Sequence, residues 1–189
     1  MGRNKRESVM PVRVDRLLSD ESMGDMTGVF MQLFEEGVQG VDRYGVTLLS
    51  RRMASSYVNR PGSLLSKSQR GVGEILDSAL LPSTTLPVEL DVQGVEMMGR
   101  GYARGPVITF TSTEVAREAL ELHMALWVAA GRRGTRPSLQ ETVHVRLGVC
   151  DHELGKTALS GFESLLPETI VLRPAEMQLD AKYQPYEYQ

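Results

Sequence analysis

The strongest constraint on the fold is a change of hydrophobic period between residues 107 and 149. Val107-Ile108-Thr109-Phe110 reads as a short strand. From 113 to 130 the apolar residues Val115, Ala119, Leu122, Leu126 and Ala129 recur at helical spacing, and Gly131 ends the run. Thr111 and Glu114 have the spacing of a capping box at its start. From 141 to 149 the period drops to two, with Val143, Val145, Leu147 and Val149 inward and His144 and Arg146 outward. A strand, a helix and a strand in succession require a layered domain in which a sheet buries one face under helices. A right-handed crossover through the 113–130 helix would set two of these strands parallel.

The remaining elements extend this pattern. Asp25 or Thr27 is placed to cap a short helix that puts Val29, Phe30, Leu33 and Phe34 on one face. Residues 41–50 suit a strand, and 63–81 suit a helix stopped by Pro82. Between 86 and 98 the alternation Val88, Leu90, Val92 changes parity to Val95, Met97, which predicts a bulge at Gly94. Gly99 to Gly105 then forms the basic tip of a hairpin. A helix over 156–166 and a strand over 169–172 complete the domain. The fold class expected is α+β: a small, mostly antiparallel sheet with three to four helices on one face. Residues 1–24 are polar and charged and are expected to be a mobile arm. Residues 25–174 form the single domain, and 175–189 a polar, tyrosine-bearing tail.

Composition narrows the chemistry. The chain has 189 residues, with 21 basic and 24 acidic side chains and a formal net charge of −3. A uniformly basic coat for nucleic acid is excluded, but a local basic face is not. The single cysteine, Cys150, excludes an intrachain disulfide and a thiolate-rich zinc site. No apolar stretch approaches a membrane span, and the first residues lead into no apolar signal region. The compartment expected is reduced and intracellular, cytoplasmic or within a virion.

Motifs of enzymes are present only in fragments. Gly155-Lys156-Thr157 lies between a strand and a helix, but position 150, where a phosphate loop needs glycine, is Cys150. Asp151 and Glu153 in the same loop would repel phosphate. Gly99, Gly101 and Gly105 miss dinucleotide spacing and precede a strand. His144, Cys150 and His152 share a face only if the strand continues past Gly148, and His123 falls within a helix. Gly2 is followed by Arg6 where a myristoylation signal wants Ser or Thr. No catalytic set, metal site or cofactor is expected.

The basic segments say more. No acid occurs between Tyr44 and Gly73, a stretch carrying Arg51, Arg52, Arg60, Lys67 and Arg70 with Tyr57 among them. Arg100 and Arg104 flank Tyr102 at the hairpin tip, and Arg132, Arg133 and Arg136 follow the long helix. Arginine and tyrosine on such segments pair with phosphates and stack on bases. The near-continuously apolar end of the long helix, with Leu126 and Trp127, and the pair Met97-Met98 suit a subunit contact. These features suggest a non-enzymatic, self-associating structural protein of virion matrix or coat type. Its arginines would touch nucleic acid, nucleoprotein or an anionic membrane surface. One alternative is an RNA-binding regulatory domain using the same arginines. Another is a nucleotide- or metal-dependent enzyme centred on residues 148–157.

Overall fold

The computed structural model describes residues 12–179. Its class is α+β, as the periodicity predicts. Along the chain run β1 (Val12–Leu17), α1 (Asp20–Asp25), α2 (Thr27–Glu35), β2 (Gly45–Leu49), α3 (Arg51–Asn59) and α4 (Gln69–Ala79). There follow β3 (Val88–Asp91), β4 (Gly94–Met98), β5 (Gly105–Thr111), α5 (Thr113–Ala129), β6 (Thr142–Arg146), α6 (Lys156–Leu165), β7 (Thr169–Leu172) and β8 (Glu176–Leu179). Three small sheets form in place of the one expected, in the orders β2-β1-β8, β3-β7 and β4-β5-β6. All the pairings between these strands are antiparallel.

The parity change near Gly94 has a different cause from a bulge. Val92 N–H donates to the Glu168 carbonyl beside β7, and Gln93 N–H donates to Thr109 on β5. The chain leaves one sheet and joins another between successive residues. The parallel crossover is also corrected. α5 and the loop after it return the chain to the end of the sheet it left, so Thr111 pairs with Thr142 and β6 runs antiparallel to β5.

The expected arm at 1–24 is corrected for its described part. β1 is the central strand of its sheet, with Val12, Val14 and Leu18 fully buried. Arg16 occupies the next core-facing position, and its charge is what made the segment read as solvated. The fold satisfies it completely. Nε and Nη2 donate to the two carboxylate oxygens of Glu118 on α5, each at 2.6 Å. Nη1 donates to the carbonyls of Leu86 and Arg173, and Nη2 to that of Ser83. All five guanidinium N–H groups are therefore used. The tail expected from 175 is corrected likewise, because Glu176–Leu179 pairs with β1 as β8. Residues 1–11 and 180–189 lie outside the described residues.

Helix ends follow local side-chain chemistry. Ser112 caps α5 by accepting from Val115 N–H, one residue after the Thr111 expected. Met26 precedes α2, so neither Asp25 nor Thr27 caps it. The helix expected over 63–81 forms only from Gln69. Upstream, Ser63 and Ser66 accept from the N–H groups of Leu65 and Ser68, holding the backbone in turns. α3 was not expected at all. Ser50 caps it through Met53 N–H, and Ala54, Tyr57 and Val58 bury its inner face.

Candidate anion-binding cleft

Strand parity builds the cleft floor. On β1 and β2, Arg16 pairs with Val46 and Val14 with Leu49 toward the core, while Asp15 pairs with Thr47 on the opposite face. The register skips Leu48, a bulge that lets both Leu48 and Leu49 turn inward. On β6, Val143 and Val145 face the core and leave Thr142, His144 and Arg146 on the other side. β2 and β6 come into contact as the neighbouring edges of their two sheets. Over this seam lies a cleft of about 1040 Å³, walled also by α3, α5 and the 135–140 loop.

The lining is strongly cationic. Arg13, Arg43, Arg51, Arg60, Arg136 and Arg146 line it, together with His123 and His144, against one lining carboxylate, Asp42. These arginines are not electrostatically equal. Arg13 Nε lies 2.6 Å from Asp15 Oδ2, and Arg43 Nε lies 3.8 Å from the same oxygen. Arg43 also reaches Glu176 at 3.4 Å. This side is close to neutral. Arg146 donates to the Ala103 carbonyl at 2.6 Å, and Arg60 donates to the Arg133 carbonyl while its Cζ lies 5.5 Å from the centre of the Tyr57 ring. These contacts orient the two cations without neutralising them. Arg51 and Arg136 make no ion pair among the described residues, and Arg51 Nε is buried without a hydrogen-bond partner.

Both cleft histidines favour the neutral form. Burial lowers the pKa of His123, and a hydrogen bond with the Leu48 backbone opposes this in part. Its Nδ1 lies 3.1 Å from the Tyr57 hydroxyl. Burial lowers His144 too, with Arg146 adding to the effect and Glu96 opposing it.

The structure joins two of the three basic segments. Arg51 and Arg60 from the acid-free stretch meet Arg136 from the turn after α5. Arg52, Lys67, Arg132 and Arg133 are exposed but do not line the cleft, and Arg70 pairs with Glu74 on the solvent side of α4. The hairpin tip stays outside: Arg100 and Tyr102 are exposed, and Arg104 pairs with Glu153 at 3.0 Å. Arg13 and Arg43 were not singled out because they stand among other residue types on separate elements, and His123 was read only as a histidine within the long helix. The alternation of 141–149 did mark His144 and Arg146 as outward.

In the 148–157 region Cys150 and Leu154 are buried in the core, His152 turns toward the Glu36 carbonyl, and Lys156 is exposed at the start of α6. Among the described residues no three metal-ligating side chains cluster, and no helix is long and apolar enough to cross a membrane.

No family model matches the chain, and no curated protein does. Among solved structures it is similar to Usb1 of Kluyveromyces marxianus, at 12% identity and a TM-score of 0.41, over 90% of this chain and 94% of that one. Likeness at that depth says nothing about activity. The matrix- or coat-type expectation is corrected here. The apolar groups expected to drive self-association are used inside the fold. Leu126 is wholly buried, Met97 and Trp127 pack against the core, Met98 is half-buried, and Trp127 Nε1 reaches the Gly134 carbonyl.

Proposed function

We propose that this chain binds RNA, gripping the phosphate backbone in the arginine-lined cleft. One observation carries the reading: six arginines converge on a single cleft in a chain whose net charge is −3. Guanidinium groups match phosphate oxygens in pairs, and a concave wall of low dielectric strengthens their field. The aromatic ring lining the cleft, Tyr57, is only 4% exposed, so stacking on bases contributes little. Recognition then rests on backbone charge and tolerates many sequences.

In this reading the protein acts by holding RNA and not by cleaving it. Fluorescence anisotropy with labelled single-stranded RNA, titrated at rising salt, tests both points. The cleft's four uncompensated arginines give an expected slope of log affinity against log salt of roughly −2 to −3, at about 0.7 per phosphate contacted. The RNA should run at its original length on a gel afterwards. Absence of binding at low salt overturns the reading, and shortened RNA replaces a binding role with a catalytic one.

A further inference from the structure

We infer that the RNA lies along α3, with phosphates held at both ends of that helix and more than one nucleoside between them. The shortest well-held ligand is then an oligonucleotide spanning both positions. The inference rests on the RNA-binding reading and names the path through the same cleft. Arg51 opens α3 and Arg60 follows its last residue. At ~1.5 Å rise per residue their backbones stand about 13 Å apart along the axis. Both side chains line the cleft, and so do Met53 and Tyr57 between them.

The wall therefore reads cation, apolar floor, cation. Met53 is 42% exposed and offers a face for a sugar or base. Arg136 also lines the cleft, on the 135–138 segment that follows the Arg133–Gly134 contact of Arg60, and strengthens that end. The first turn of α3 carries Arg51 and Arg52 and no acid, so positive charge stands against the positive end of the helix dipole. Arg51 Nε is shut off from water with no acceptor. A phosphate at the Arg51 guanidinium answers the unopposed positive charge. One phosphate cannot serve both ends, and adjacent phosphates along a strand are separated by far less than the helix length.

Affinity measured against ligand length tests the inference, with inorganic phosphate, a mononucleotide and RNAs of about two to eight nucleotides as competitors. The expected result is a rise of about tenfold or more once the strand reaches both ends, then a plateau. Arg51→Gln and Arg136→Gln should each remove that rise, so that long RNAs bind no better than short ones. Neither side chain has an ion-pair partner in the described fold, so thermal midpoints should hold. Arg70→Gln, outside the cleft, should change nothing. Affinity that is independent of length, or a rise surviving both variants, overturns the path while leaving RNA binding intact. Failure of every RNA to bind removes the underlying reading instead.

Discussion

Arg16 shows how a single side chain can disguise a strand. Its guanidinium is sealed between β1 and α5, and its partner Glu118 is equally buried. Replacing one member strands the other charge in a medium that solvates it poorly. Arg16→Met should cost about 3–5 kcal/mol in urea unfolding, and adding Glu118→Leu should recover a large part of the loss. If the single variant unfolds at the wild-type midpoint, the pair contributes nothing. From sequence, an arginine in an otherwise apolar alternation reads as solvated, because its only large partner lies on α5, a hundred residues downstream. Arg13 and Arg43 were hidden for a similar reason. Each looks like an ordinary surface cation until Asp15 and Glu176 are seen beside them.

At the scale of elements, legibility followed periodicity. α5, β5 and β6 were readable because each has a regular apolar stripe and little competing chemistry. α3 was not, since Met53, Ser55 and Ser56 dilute its stripe and its capping serine lies in a run that resembled a strand end. The turn after α5 matters most to the cleft. Gly131, Arg132 and Gly134 all have positive φ, at 84°, 56° and 77°. A methyl group at Gly134 would overlap Arg60 Nη1. Gly134→Ala should therefore displace Arg60 and weaken RNA binding several-fold, with backbone strain of about 1–2 kcal/mol appearing in the unfolding midpoint. Unchanged affinity would show that Arg60 takes no part.

For the molecule as a whole, the α+β class was legible but the number of sheets was not. Sheet membership depends on where a strand finds its partner, and Val92 and Gln93 carry no mark that they part company. The cleft was half legible for the same reason: runs of like charge show in one dimension, whereas convergence is a property of three. The two cleft histidines also set a global pH response. Their pKa values in the fold lie below the ordinary 6.5, so below that pH the unfolded chain binds more protons than the native one. Their contribution is complete above about pH 6.5 and is lost as pH falls toward the lowered values. Urea midpoints should fall between about pH 7 and pH 5.5, and less so in a His123→Gln/His144→Gln variant. An identical slope in that variant would assign the loss to other groups.

The strand at the centre of the first sheet has one further consequence. β1 enters the structure at Val12, yet Val12 finds its neighbour at Leu179. The β1–β8 pairing therefore waits for the last described segment to leave the ribosome, and closing so long a loop is entropically slow. Until then Arg16 lacks the Arg173 carbonyl, and the nascent chain must shelter an apolar strand with one open edge.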